Sequence, residues 1–147
     1  MESRTKILGH PVHQVLVPFP IGAFGLSVAF DAFHTMGGPR WHLSAARRAV
    51  ELGLITGILA APFGFADWLA IEKQSRAKRI GLVHAATNAV MLGVFAKSRW
   101  LRRSERTPTS AKWISATGLL LGGCAAWFGG ELIVRHGVGV NAVPLDA

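Results

Sequence analysis

Four of the six histidines in this chain of 147 residues are candidates for metal or haem chemistry. His10 and His13 lie in GHPVHQVLVPFP, where a long apolar stretch begins. His84 lies inside a later apolar stretch with Asn88 one helical turn further on, and His136 follows the last such stretch. Neutral imidazole is the commonest metal ligand in proteins and a common axial ligand to haem iron. The residue types therefore predict a cofactor site, provided that the fold brings them together.

Three kinds of chemistry fit these side chains. Haem b would take two imidazoles from different helices, with His84 as the first ligand and His13 or His136 opposite. A non-haem metal ion would use a larger set, drawn from His10, His13, His84 and His136 with a carboxylate from Asp67 or Glu131. A proton relay through Asp67, His84 and Glu131 is the third interpretation, but four short helices leave little room for alternating access.

The acidic residues near the ends of the apolar stretches are predicted to support this site. Asp67 precedes Trp68, and we expect its carboxylate to pair with one of the histidines or with Arg135. Glu131 lies one turn before Arg135.

Nucleophilic catalysis has no comparable support, because the chain contains no G-x-S-x-G and no phosphate-binding loop. The sequence therefore favours an electron-transfer or accessory membrane protein over an enzyme.

The composition indicates an integral membrane protein. Half of the residues are hydrophobic and only 16% are charged, against about 25% in soluble domains. The net charge of +8 does not indicate nucleic-acid binding, because the basic residues lie between apolar blocks, where they would meet lipid headgroups. Cys124 is the only cysteine, so an intrachain disulfide and a covalently attached c-type haem are both excluded.

The apolar blocks predict four membrane-spanning helices in one domain of residues 1–147. Each block is close to the roughly 20 residues that a helix needs to cross a bilayer, and helices satisfy their own backbone hydrogen bonds in lipid. Short connections predict an antiparallel order. The fold class is thus an all-α integral membrane antiparallel four-helix bundle with a short interfacial N-terminal segment. The predicted spans are about 18–36, 50–71, 80–98 and 113–135.

The prolines of GHPVHQVLVPFP predict where the first span begins. Proline disfavours helical geometry in the residue before it, so Val17 and Phe19 are expected to be extended. Proline suits the first turn of a helix, so the span is expected to start near Pro18 or Pro20. Residues 9–17 would then lie at the interface with a short helical turn.

Small residues recur every fourth position in two of the predicted helices. They are Gly53, Gly57 and Ala61 in the second, and Gly118, Gly122, Ala126 and Gly130 in the fourth. Such faces allow helix backbones to approach closely. Close helix packing is the favoured interpretation, and a slot for a flat cofactor is the alternative.

Alternating helix directions predict that the candidate residues converge on one membrane face. The start of the first and third helices and the end of the second and fourth lie on that face, and at 1.5 Å per residue His84 lies roughly 7 Å inside it. The residues predicted there are His10, His13, Asp67, His84, Glu131, Arg135 and His136. His34 and His42 fall on the opposite face. The basic residues of the two faces are too evenly divided to determine the orientation.

Four motifs carry a resemblance to a known family: GHPVHQVLVPFPIG, FADW, RIGLVHAATN and GGELIVRHGVGV. Through them the chain resembles the bacterial membrane proteins grouped as domain of unknown function 2231. The resemblance extends from Lys6 to about Val140. It implies a small four-span protein of the bacterial cytoplasmic membrane, found in some cases joined to or beside redox domains such as Rieske iron–sulfur proteins. Many relatives have histidine where this chain has Pro18, so no ligand role transfers there. The matching motif residues are His10, His13, Asp31, Asp67, His84, Glu131 and His136.

Together these observations predict a membrane protein with a histidine-lined site at one face. The expected occupant is haem b, or otherwise a metal ion, supporting electron transfer with a redox protein such as a Rieske-type iron–sulfur protein. The alternative is a structural or accessory subunit without a cofactor, whose histidines are merely interfacial.

Overall fold

The computed structural model describes residues 1–103 and 107–140, and most of these lie in α-helices. Two short antiparallel strands precede the helices and are joined by a turn at Leu8 and Gly9, both with positive φ. The predicted all-α membrane bundle is confirmed. In chain order the elements are β1 (Lys6–Ile7), β2 (His10–Pro11), α1 (Val12–Leu16), α2 (Pro18–Thr35), α3 (Trp41–Ala70), α4 (Arg76–Leu101) and α5 (Thr109–Val134).

Within the described residues, four helical segments are long and apolar enough to cross a membrane. They have 24, 30, 26 and 26 residues, the first comprising α1 and α2 together. All four begin earlier than the predicted spans, at Val12, Trp41, Arg76 and Thr109. The predicted limits followed the ends of the apolar blocks, whereas helical hydrogen bonding continues past them into segments whose basic side chains can reach the headgroups.

The junction between α1 and α2 is helical rather than extended. Val17 has φ −55° and ψ −36°, and its amide donates to the carbonyl of His13 at 3.0 Å. The extended geometry predicted for Val17 and for Phe19, which lies within α2, is therefore wrong, because proline disfavours but does not forbid a helical residue before it. Helix α2 does begin at Pro18, where the missing amide hydrogen of proline costs no helical hydrogen bond. The helical segment that is apolar enough to cross a membrane begins earlier, at Val12.

The four long helices form a ring in which two hairpins pack against each other. The most extensive contacts are within the hairpins, α2 with α3 and α4 with α5, while α3 with α4 and α2 with α5 close the ring. Helices α2 and α4 consequently lie diagonally across the bundle. Their side chains meet at its centre, where the rings of Phe24 and Phe95 stack with centroids 3.8 Å apart and planes inclined by 9°.

The two hairpins repeat one another in sequence. GLITGILAAPFG (residues 53–64) in α3 and GLLLGGCAAWFG (residues 118–129) in α5 share the pattern G-L-x-x-G-x-x-A-A-x-F-G. The first helix of each hairpin shows a matching series at a constant offset of 71 residues. That series is His13, Gly22, Phe24 and Ser27 in the first hairpin and His84, Gly93, Phe95 and Ser98 in the second.

The structure uses these repeated residues in the same way in both halves. A Cβ atom added to Gly53 would lie 2.4 Å from the ring of Phe24, and one added to Gly118 would lie 2.7 Å from the ring of Phe95. Residues at matching positions also contact each other across the diagonal, as the two phenylalanines do. The hairpins are therefore related by an approximate two-fold axis along the bundle. Several of the small residues on α3 and α5 receive side chains of neighbouring helices, as helix packing requires.

Candidate functional site

The candidate site is built around His13, which α1 presents to α3. Its Nδ1 lies 3.0 Å from the carbonyl oxygen of Ala60. Its ring covers Gly64, where a Cβ atom would lie 2.6 Å from the imidazole. The absence of a side chain at Gly64 therefore creates the space for the ring, and the carbonyl one turn earlier fixes its orientation.

His84 repeats this arrangement in the second hairpin. Its Nδ1 lies 2.9 Å from the carbonyl oxygen of Ala125, and its ring covers Gly129, where a Cβ atom would lie 3.0 Å away. A carbonyl oxygen can only accept, so the neutral form of each imidazole carries its proton on Nδ1. This leaves a lone pair on Nε2, and a backbone carbonyl bound to the other ring nitrogen is the usual support of a metal-binding histidine.

The two imidazoles meet across the approximate two-fold axis. Their centroids are 6.4 Å apart and their planes are inclined by 87°. Two imidazoles bound on opposite sides of one metal ion have centroids roughly 6 Å apart, because metal–nitrogen bonds are about 2.0–2.1 Å. The separation of His13 and His84 is therefore compatible with a shared metal centre.

Asn88 makes the pair asymmetric. Its side-chain amide donates to the carbonyl of His84 at 2.9 Å and also lies 3.3 Å from Nε2 of that histidine. The matching position in the first hairpin is Val17, which has no polar side chain. A ligand on Nε2 of His84 would have to replace the contact with Asn88, whereas His13 has no such neighbour at the matching position.

The other two predicted histidines lie in short segments outside the long helices. His10 is exposed on β2, and His136 is half-buried in the turn that follows α5. Within residues 1–103 and 107–140, no group of three or more histidine, cysteine, aspartate or glutamate side chains is positioned to hold a metal ion. Of the four predicted histidines, His13 and His84 make a ring contact with each other.

Asp67 binds the N-terminal segment. Its carboxylate accepts hydrogen bonds from Ser3 Oγ at 2.7 Å and from the amide of Arg4 at 2.8 Å, and it is buried. The pairing predicted with a histidine or with Arg135 is wrong, because the first residues of the chain fold back over the end of α3. Arg135 pairs instead with Glu131, one turn earlier on its own helix, at 3.2 Å.

The sequence did not predict the ion pair that is buried near the other end of the bundle. The guanidinium of Arg102 is fully buried and binds both carboxylate oxygens of Asp31, with Nη1 at 2.9 Å from Oδ1. It also donates to Ser98 Oγ at 3.1 Å and to Ser115 Oγ at 3.2 Å. The repeat would have revealed the pair, since Arg102 follows Ser98 at the spacing at which Asp31 follows Ser27.

The protein is thus a small integral membrane four-helix bundle made of two repeated hairpins. His13 contacts His84 between the hairpins, and Asp31 pairs with Arg102. The chain belongs to the family described as "Predicted membrane protein (DUF2231)", whose family model matches residues 9–142. The resemblance seen in the motifs is thereby confirmed. Comparison with curated proteins and with solved structures yields no match.

Proposed function

We propose that this protein is a subunit of the bacterial cytoplasmic membrane that binds haem b through His13 and His84 and serves in electron transfer. The pair itself carries the proposal. Two imidazoles from different helices lie edge to face with centroids 6.4 Å apart, and in each of them a backbone carbonyl accepts the Nδ1 proton. His13 and His84 would hold haem b through their two Nε2 atoms, and no further side chain would be needed as a ligand.

The number of ligands favours haem over a bare metal ion. A protein-bound metal ion normally takes four or more ligands, at least three of them from the protein. The part of the chain that the structure describes assembles no such set. In haem b the macrocycle would supply the other ligands of the iron, so the chain would have to provide only the two imidazoles.

Electron transfer requires a partner that receives or supplies the electron. The family resemblance, in which such membrane proteins occur beside Rieske domains, supports a Rieske-type iron–sulfur protein. His13 and His84 lie near the start of their spans, so the site is within a few helical turns of one membrane surface. A water-soluble redox domain could approach it from that side.

The test is a visible absorption spectrum of the protein purified in mild detergent from cells supplied with haem. We expect a Soret band, and at least a tenfold loss of bound haem in both His13→Ala and His84→Ala. His10→Ala and His136→Ala are the matched controls and should retain their haem. Absence of a Soret band, or full haem content in both His13→Ala and His84→Ala, would overturn the proposal.

A cofactor-free structural subunit is the second candidate, and the contact of Asn88 with Nε2 of His84 favours it. In that case the rings only fill the spaces over Gly64 and Gly129 and join neighbouring helices through their Nδ1 atoms. His84→Ala would then lower the thermal stability of a protein that binds no haem. The same purified variants, analysed for unfolding as well as for absorption, separate the two functions.

A further inference from the structure

The contact between the two hairpins is nearly self-complementary. His13 lies against its own counterpart His84, and Phe24 stacks on its own counterpart Phe95. A surface that packs against an equivalent surface across a two-fold axis is the kind found between the subunits of a symmetric dimer. If the histidines and phenylalanines alone determined the contact, the first hairpin would pair equally well with the first hairpin of another copy of the chain.

One pair on the axis breaks this equivalence. Asp31 and Arg102 occupy matching positions but carry opposite charges, and both side chains are buried, with exposed fractions of 5% and 0%. Pairing of two first hairpins would bring two Asp31 carboxylates together. Pairing of two second hairpins would bring two Arg102 guanidinium groups together. Burying like charges side by side is strongly unfavourable.

We propose that the Asp31–Arg102 ion pair selects the partner of each hairpin. It directs the first hairpin (α1–α3) to the second hairpin (α4–α5) and excludes association of like hairpins between two copies of the chain. Buried ion pairs contribute little net stability compared with apolar residues of similar size, and their best-attested role is to specify partner and register. The proposal concerns assembly and does not depend on a cofactor.

The reversed pair, with arginine at position 31 and aspartate at position 102, would need hydrogen-bond acceptors around the arginine. The surroundings of the native pair indicate which acceptors are present. Arg102 donates to Ser98 and to Ser115 and lies 3.5 Å from the carbonyl oxygen of Ala111. The first hairpin has serine and alanine at the positions that match Ser98 and Ala111, but it has Val50 where the second has Ser115. An arginine at position 31 would therefore lack one hydroxyl acceptor, which Val50→Ser supplies.

Disulfide cross-linking of the full-length protein in membranes tests the proposal. The background is Cys124→Ser, which removes the native cysteine, with Ser27→Cys as the reporter. Ser27 is fully buried between Phe24 and Asp31 along α2, so two reporters meet only when two first hairpins pair. We expect little covalent dimer with the native pair, and at least ten times more when Asp31→Leu and Arg102→Met replace it.

The reversed pair is the decisive comparison. Asp31→Arg with Arg102→Asp and Val50→Ser keeps opposite charges in the native pairing, so we expect a folded protein with as little dimer as the native pair. Glu51→Gln, which removes a partly exposed partner of Arg99, is the matched control and should not increase the dimer. The proposal is overturned if the apolar pair stays monomeric. It is also overturned if the reversed pair cross-links as strongly as the apolar one or fails to accumulate.

Discussion

The ring of Phe24 rests on Gly53 so closely that a methyl group on this glycine would lie 2.4 Å from the ring. The ring cannot retreat, because its other face is stacked on Phe95 at 3.8 Å. Phe95 in turn rests on Gly118. Two glycines and two phenylalanines thus form a continuous stack through the centre of the bundle, and each glycine is required by the ring above it.

Gly53→Ala is therefore expected to destabilise the bundle by about 1–3 kcal/mol, the usual cost of overpacking a core. Gly118→Ala should act in the same direction. Gly93→Ala is the matched control, since nothing lies within 4 Å of its Cβ position and alanine is the better helix former. Thermal unfolding in detergent measures the effect. Equal stability of Gly53→Ala and Gly93→Ala would show that the ring is free to move.

Asn88 in the second hairpin matches Val17 in the first. The substitution Asn88→Val therefore gives both hairpins the same residue at this position. The substitution removes the amide that lies 3.3 Å from Nε2 of His84. A hydrogen bond contributes about 0.5–1.5 kcal/mol net, so the proposed haem should bind roughly threefold to tenfold more tightly. Haem titration of the apoprotein measures this change. Weaker binding would mean that Asn88 supports the bound state instead of competing with it.

Asp67→Ala should release the N-terminal segment. It removes the acceptor of Ser3 Oγ and of the amide of Arg4, and donors left without a partner cost about 1–3 kcal/mol. Amide hydrogen exchange should become faster in residues 1–11. Arg135→Ala, which breaks an ion pair with a largely exposed arginine, is the control and should change stability by less than about 1 kcal/mol. Unchanged exchange in Asp67→Ala would mean that this segment is held by its other contacts.

Ser75→Ala should weaken the start of α4. The Ser75 hydroxyl accepts the amide of Lys78 at 3.1 Å and caps the helix, and loss of such a cap costs about 1 kcal/mol. Ser110→Ala, at an exposed position in the first turn of α5, is the control and should have a smaller effect. Chemical denaturation of both variants provides the comparison, and a loss in Ser110→Ala as large as in Ser75→Ala would contradict the capping role.

Part of the candidate site could be predicted from the sequence. His84 was singled out because an imidazole inside an apolar stretch is costly without a partner, and His13 was named as one of its two possible counterparts. The repeat was also present in the sequence, in GLITGILAAPFG and GLLLGGCAAWFG, but it becomes visible only when the chain is compared with itself. Once seen, it pairs His13 with His84 and Asp31 with Arg102 directly.

The number of helices, their membrane character and the alternation of their directions were determined by the sequence alone. Apolar stretches of about 20 residues can satisfy their backbone in lipid only as helices, and short connections force neighbours to be antiparallel. The partners of the polar side chains were decided only by the tertiary structure. Asp67 binds the N-terminal segment, and Arg102 is buried instead of lying at the headgroups. These contacts depend on the rotation of each helix about its axis and on the return of the N-terminal segment over the bundle, which hydropathy does not specify.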